Sequence, residues 1–324
     1  IIEMTNTLKN KSLSELWYNR EIFNYPTIKP NKLHNYTSTI KKNNIMLYSS
    51  KLIIIETKNN EYLLNIQFSS YFYNKTGKII NDSTKTSDDY YNNSILYIDS
   101  EFNKITDMNS YEDIELNKLK IIKKNNDIYY IANIIRDNEV FISSDIFNIT
   151  KEPSILKKNK IFMNDNNNND NINKQNITLV DYDNSVCVIY SWFPLKIGKI
   201  NYETNTINIV KITNDIPIYF KTAISSTSGY IYNNEYWFVL HKYQQTKDLS
   251  SFNYQHFFAV FDLDMSLLRY SELFKLDNRR VENCSGLIIK DEKMILSYSL
   301  QNSKCFVAEY DKEYINNSIK WYNY

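Results

Sequence analysis

Residues 230–241 read Tyr-Ile-Tyr-Asn-Asn-Glu-Tyr-Trp-Phe-Val-Leu-His, which places two apolar runs on either side of Asn233-Asn234. Aromatic and β-branched residues favour strands, and Asn tolerates the positive φ that a tight turn between strands requires. The stretch therefore predicts a β-hairpin. The same form recurs at Thr57–Asn60, Lys124–Asp127, Asp181–Asn184 and Lys290–Lys293.

The spacing of these hairpins indicates a repeated unit. Five units of about 55 to 60 residues fit the chain, which is typical of four-stranded propeller blades and not of a sandwich. The sequence predicts an all-β, five-bladed β-propeller over residues 45–324, with the polar stretch 164–175 as a surface loop. Residues 1–44 are expected to form an N-terminal extension that packs on or closes the propeller, with a short helical segment in 8-LKNKSLSELWYN-19.

Composition excludes several classes of function. The 38 basic and 37 acidic residues give a formal charge of +1 without a basic run, so we expect no nucleic-acid partner. No apolar run reaches the roughly 18 residues of a membrane helix, so no membrane partner is expected. The three widely spaced cysteines predict neither a disulfide framework nor a metal site, and they fit a reducing compartment. No phosphate loop or dinucleotide fingerprint occurs, and we expect no cofactor.

Glycine is rare, and three of the four glycines lie next to predicted strands, at Gly198, Gly229 and Gly286. Because Asn replaces Gly in the turns of this chain, these positions are expected to exclude a side chain. A β-bulge or a close approach of two backbones explains such a glycine, and a ligand-lining position is the alternative.

Longer runs resemble a known family. They are 190-YSWFPLKIGKI-200, 219-YFKTAISSTSGYIYNNEYWFVLH-241, 254-YQHFFAVFDLDMSLLRYSELFKL-276, 281-VENCSGLIIKDEKMILSYS-299 and 305-CFVAEYDKEYI-315, with weaker matches at 61–78 and 111–133. Together they resemble a five-bladed β-propeller module of giant viruses of the mimivirus type, which occurs beside glycosyltransferases. That module is distantly similar to five-bladed glycoside hydrolases and phosphorylases.

The resemblance implies a sugar site in a funnel on the propeller axis. Hydrolysis of a glycosidic bond needs two carboxyl groups roughly 5 to 9.5 Å apart, one protonated and one ionised. By similarity, Asp113 and Glu282 are the candidate catalytic carboxylates. The candidate substrate-binding residues are Glu112, His241, His256, Trp192 and Asn302.

Each candidate also has a structural alternative. A histidine in an apolar strand is often a satisfied core residue, and a carboxylate such as Glu282 can accept backbone N–H bonds at a corner. The pair Glu112-Asp113 fits a polar turn, and Trp192 fits a core position.

The sequence departs from the family at several implied site positions. Glu115, Gln67 and Ile224 stand where the family has arginine, and Asn302 stands where it has aspartate. Arginine is the bidentate donor suited to phosphate, so these changes do not favour a phosphorylase and indicate a partly eroded site.

Two functions follow from the resemblance. The first is a propeller that recognises a glycan and processes it like a glycosidase. The second is a non-catalytic structural or interaction propeller that is associated with the virion or supports a glycosyltransferase. The expected partners are a glycan ligand and a glycosyltransferase or virion proteins, and the expected location is the host cytoplasm or the virion.

Overall fold

The computed structural model describes residues 25–42, 44–57, 61–81, 91–106, 109–111, 116–125, 127–134, 139–144, 159–160, 162–163, 177–201, 203–204, 206–245 and 252–324. The predicted helical segment at 8–19 and the predicted loop at 164–175 lie outside these residues.

The described chain is almost entirely β-strand. In chain order the strands of the first half are β1 (Lys32–Asn35), β2 (Thr39–Lys42), β3 (Ile45–Glu56), β4 (Tyr62–Ser69), β5 (Tyr71–Tyr73), β6 (Ile79–Asn81), β7 (Tyr91–Ile98), β8 (Asn109–Tyr111), β9 (Leu116–Lys124), β10 (Asp127–Ile134), β11 (Glu139–Ser144), β12 (Asn159–Lys160) and β13 (Phe162–Met163).

The second half continues the pattern and adds one short helix, α1 (Lys312–Ser318), and a 3-10 turn (Ile218–Thr222). Its strands are β14 (Thr178–Tyr182), β15 (Ser185–Trp192), β16 (Leu195–Asn201), β17 (Thr206–Thr213), β18 (Ile224–Ser225), β19 (Tyr230–Tyr232), β20 (Glu235–Gln245), β21 (Phe252–Asp262), β22 (Leu267–Ser271), β23 (Glu282–Lys290), β24 (Lys293–Leu300), β25 (Lys304–Asp311) and β26 (Trp321–Asn323).

Among the described residues the strands form five sheets of four to six strands, which we call blades 1 to 5, and the separate hairpin β5–β6. The orders are β2-β3-β4-β7-β8 in blade 1, β12-β11-β10-β9 in blade 2 and β13-β17-β16-β15-β14 in blade 3. Blade 4 has the order β18-β20-β21-β22-β26 with β19 also on β20, and blade 5 has β1-β25-β24-β23. The N-terminal strand β1 therefore completes the last blade, and β2 pairs with β3.

Five apolar clusters join neighbouring blades around the ring. In β3, Ile53 and Ile55 pack toward blade 2, whereas Leu52 and Ile54 pack toward blade 5. Successive side chains of a strand point to opposite faces, so a strand buried on both faces must be apolar throughout. Three further clusters join blades 2 and 3, blades 3 and 4, and blades 4 and 5. The ring of packed sheets confirms the predicted all-β propeller.

The predicted hairpins are confirmed where the structure describes them. Tyr232 pairs with Glu235 across a two-residue turn in which Asn233 and Asn234 have φ of 51° and 61°. The turns at Asp183-Asn184 and Asp291-Glu292 also have positive φ at both central residues. This geometry matches the right-handed twist of the flanking strands, and Asn supplies it here in place of glycine.

The prediction for the strand glycines is confirmed at Gly198 and Gly286. A Cβ added at Gly286 would lie 2.8 Å from the backbone nitrogen of Ile54 and 2.4 Å from Ser297 Oγ. At Gly198 it would lie 2.2 Å from Ile207 Cγ2. The strand register shifts at both glycines, next to Cys284 in β23 and next to Ile197 in β16. These positions are therefore bulges where neighbouring chains approach closely.

A substitution at Asn234 tests the role of the turns. Replacing Asn234 by Val forces a β-branched residue into positive φ, which costs roughly 1–3 kcal/mol, so we expect a lower urea midpoint. Asn234→Gly removes the Cβ and is expected to retain the stability of the natural chain. Equal stability of the Val and Gly variants would contradict the proposed geometry.

Candidate functional site

A polar cavity of about 180 Å³ lies where blades 1, 2, 4 and 5 converge, and we call it the axial pocket. It is lined by strands that are far apart along the chain, as a funnel on the propeller axis requires. Its neutral polar side chains include Ser50, Gln67, Ser226, Asn283 and Asn302, and His241 also lines it. Polar residues that are far apart in sequence therefore meet around this cavity, and among the predicted site residues His241 and Asn302 line it.

Two β-bulges shape the wall of the pocket. The register between β3 and β4 shifts between Ser49 and Lys51, and the register between β23 and β24 shifts between Cys284 and Gly286. The skipped residues, Ser50 and Ser285, both line the pocket. A bulge turns a side chain out of the regular alternation of a strand, which lets these blades present extra polar groups to the axis.

Lys120 of β9 lines the axial pocket and links blade 2 to blade 4. Its ammonium group donates hydrogen bonds to the backbone carbonyls of Ser225, at 3.1 Å, and of Ser226. A second cavity of about 260 Å³ lies along the same strands. Its lining combines aliphatic side chains such as Ile54 and Ile121 with charged ones such as Glu56 and Lys123.

His241 lies in the pocket wall, as the sequence predicts. Its Nδ1 is 2.7 Å from Ser226 Oγ, and it faces Tyr254 with ring centroids 5.3 Å apart. The hydroxyl of Ser226 fixes the ring orientation, so His241 presents a defined hydrogen-bonding edge to the cavity.

His256 is the register partner of His241 but does not line the pocket. Its ring is completely buried, and burial, helped by the nearby Lys275 charge, lowers its pKa to about 3. The sequence analysis predicts that His256 points into the funnel. In the structure its side chain is buried behind the wall of the axial pocket. Phe257 and Phe261 pack on the opposite face in the cluster between blades 3 and 4, which confirms their predicted alternation with His256.

Glu282 is completely buried and is not part of the pocket lining. Its carboxylate accepts three backbone N–H bonds, from Leu276 at 2.7 Å, from Asp277 at 3.2 Å and from Arg279 at 2.6 Å. Burial raises its pKa, while the Lys275 charge and the three amide donors oppose that rise. His256 Nε2 lies 4.0 Å from the carboxylate. This geometry fits the structural alternative, in which Glu282 fastens the 276–279 corner to β23.

The structure also locates two further predicted site residues, Trp192 and Asn302. Trp192 is buried in the cluster between blades 3 and 4, and its Nε1 donates to Ser225 Oγ at 2.8 Å. It therefore supports the strand that carries the pocket and does not touch the cavity. Asn302 lines the pocket and accepts a 3.0 Å bond from Asn283. Glu112, Asp113 and Glu115 lie outside the described residues.

Three of the four positions where the sequence departs from the family line the pocket. They are Gln67, Ile224 and Asn302. The fourth, Glu115, lies outside the described residues.

Sequence reasoning missed the aromatic rim of the pocket. This rim consists of Tyr71, Tyr73, Tyr91, Tyr243 and Tyr254. A chain with 28 tyrosines offers no compositional signal for five of them. Strand alternation does offer a signal, because residues two apart in a strand face the same side of the sheet. Tyr243 follows His241 by two residues and Tyr254 precedes His256 by two, so all four side chains lie on the same side.

Comparisons with known proteins support the fold. No protein-family model matches the chain, and no curated protein matches its sequence. A putative glycoside hydrolase from Parabacteroides distasonis is similar in structure, with a TM-score of 0.57 and 10% identity over 91% of this chain and 96% of that one.

Two other solved structures are similar. A β-1,2-mannobiose phosphorylase from Listeria innocua, in complex with β-1,2-mannobiose, has a TM-score of 0.54 and 10% identity over 90% of this chain and 95% of that one. A glycosyl hydrolase from Bacteroides ovatus has a TM-score of 0.53 and 8% identity over 91% of this chain and 93% of that one. At sequence identities of 8% to 10%, this structural similarity establishes the propeller fold alone.

Replacing Glu282 by Gln tests its structural role. The amide has one acceptor oxygen where the carboxylate has two, so at least one buried backbone N–H loses its partner, at a cost of about 1–3 kcal/mol. We expect that loss in urea unfolding at neutral pH. Glu203→Gln, on an exposed turn, is the matched control and should leave stability unchanged. Equal stability of the two variants would show that the corner does not depend on the carboxylate.

The depressed pKa of His256 predicts destabilisation by acid. The unfolded chain binds a proton near pH 6.5, whereas the folded chain resists it down to about pH 3, so stability falls as the pH drops below about 6.5. From pH 7 to pH 5 this group contributes a loss of about 2 kcal/mol. Glu282, with its raised pKa, acts in the opposite direction between its unfolded and folded pKa values.

His256→Phe and His256→Gln isolate this contribution. Both remove the titrating ring, so their urea stabilities should fall less between pH 7 and pH 5 than that of the natural chain. Parallel pH profiles of all three proteins would contradict the assignment.

Proposed function

We propose that this protein recognises a glycan and binds one sugar unit in the axial pocket. The observation that carries the proposal is the convergence of Gln67, Ser226, His241, Asn283 and Asn302 from three blades on one cavity. A sugar presents many hydroxyl groups, which neutral amide, hydroxyl and imidazole groups satisfy as donors and acceptors.

The rim adds a second feature that suits a sugar. Its tyrosines form edge-on contacts, with Tyr71 and Tyr73 centroids 5.9 Å apart and Tyr71 and Tyr91 centroids 6.2 Å apart. Tyrosine combines a flat apolar face with a polar tip, and a pyranose combines an apolar face with polar edges. A pocket of polar groups with an aromatic rim therefore complements a sugar better than it complements a purely apolar ligand.

The ligands of similar structures favour the same class. The phosphorylase from Listeria innocua is bound to β-1,2-mannobiose. This makes β-mannosides the first ligands to test on the present chain.

Recognition is better supported than glycosidase chemistry. A two-carboxylate mechanism needs both groups beside the glycosidic bond, and Glu282 is occupied by three backbone amides outside the pocket. Asp113 as a catalytic acid stays a prediction from the resemblance.

The second candidate is the non-catalytic structural or interaction propeller. The burial of Glu282 and the replacement of family arginines by Gln67 and Ile224 favour it. A glycosyltransferase or virion partner, and a location in the host cytoplasm or the virion, belong to this proposal. A propeller that binds a glycan without cleaving it satisfies both candidates.

A binding experiment with two histidine variants, one in the pocket and one outside it, tests glycan recognition. A glycan array that includes β-mannosides, followed by calorimetry on the best ligand, should detect binding by the natural chain. His241→Ala removes a pocket hydrogen-bonding group and should weaken binding about tenfold or more.

The control is His34→Ala, which changes the histidine of β1 outside the pocket and should bind as the natural chain does. Absence of any glycan binding by the natural chain, or equal binding by the two variants, would overturn the proposal.

A further inference from the structure

The hairpin β20–β21 extends beyond the pocket and carries a row of rings along one face. Both strands have 11 residues, and their pairing continues from His241–His256 to Gln245–Phe252. Along this extension the ring of Tyr254 lies 5.3 Å from that of His241 and 5.9 Å from that of Tyr243. The row therefore leads from the inside of the pocket to its rim.

Tyr243 is the outer end of this row and remains 41% exposed. It lines the pocket mouth, and its plane is inclined by only 31° to that of Tyr254. A single exposed tyrosine is common on protein surfaces. The place of Tyr243 at the end of a row of rings that begins in a polar pocket is what indicates a binding surface.

The rim is held in place by backbone contacts between blades. The hairpin β5–β6 of the first half packs on β21, where the amide of Phe252 donates to the Gly77 carbonyl at 3.0 Å. The amide of Tyr73 donates to the Gln301 carbonyl at 2.8 Å, and the rings of Tyr73 and Phe252 are 5.7 Å apart. A platform fixed in this way loses little conformational freedom when a ligand binds.

The row of rings gives a longer ligand a surface on which to continue. Lys120, which also lines the pocket, is tied to the Ser225 and Ser226 carbonyls. A glycan with one unit beside His241 that extends along the row meets Tyr243.

We propose that Tyr243, backed by Tyr254, is a second sugar subsite that stacks on the unit next to the one in the pocket. The inference rests on the proposed function and adds that the ligand has at least two sugar units. A sugar unit needs only the face of one ring for this contact, whereas a stable protein interface buries about 800 Å² per partner.

Calorimetry with mannose and β-1,2-mannobiose tests the subsite. The natural chain should bind the disaccharide more tightly than the monosaccharide. Tyr243→Ala should weaken disaccharide binding about fivefold to tenfold, consistent with one aromatic stacking contact, and should weaken monosaccharide binding by a clearly smaller factor. Tyr243→Phe keeps the ring face and should bind both sugars as the natural chain does.

The matched control is Tyr322→Ala, which removes an exposed tyrosine of the same blade that does not line the pocket. It should change neither affinity. Equal loss of both affinities in Tyr243→Ala, or no loss of either, would overturn the subsite while leaving glycan recognition intact. If the natural chain binds neither of these sugars nor any glycan of the array, the proposed function fails and the subsite fails with it.

Discussion

The close approach of blade 5 to blade 1 is the constraint on which the rest of this structure depends, because it closes the ring. Ser297 and Ser299 of β24 donate their hydroxyl protons to the carbonyls of Leu52 and Ser50 in β3, at 2.7 and 2.6 Å. Buried hydroxyl and carbonyl groups need such partners, and a small side chain is required to reach the neighbouring backbone. Gly286 completes the contact, since a Cβ there would collide with β3.

The same contact creates the site. Bulges at Ser50 and Ser285 lie in the two strands that meet at this closure, and both residues line the axial pocket. A regular ladder directs the backbone groups of a strand mainly to the neighbouring strands of its own sheet. The bulge at Ser50 interrupts the ladder, and its carbonyl bonds to Ser299 while its hydroxyl bonds to the Gln67 carbonyl. Ring closure and pocket shape therefore have a common origin in a few small residues.

The sequence was sufficient for the fold because its signals are local. Two-residue turns with Asn or Asp, such as Asn233-Asn234, mark the hairpins, and the strands between them are apolar on both faces because each blade packs between two others. The site depends on contacts between residues that are distant in sequence. Glu282 carries a carboxyl group, the group that a glycosidase uses for catalysis. Only the positions of three backbone amides show that this carboxylate accepts their hydrogen bonds. Likewise, His241 and His256 are partners in the same ladder, yet one faces the cavity and the other lies behind it.

The two requirements, ring closure and chemistry, constrain different residues. The apolar clusters between blades include neither Gln67 nor Ile224 of the axial pocket, so these two side chains take no part in the apolar packing that holds the ring. Recognition of a sugar needs a set of neutral hydrogen-bonding groups and an aromatic face, which tolerate such replacements. Hydrolysis needs two carboxyl groups at a fixed separation, which do not tolerate them. A pocket that holds His241, Asn283 and Asn302, with Glu282 outside it, therefore meets the weaker requirement.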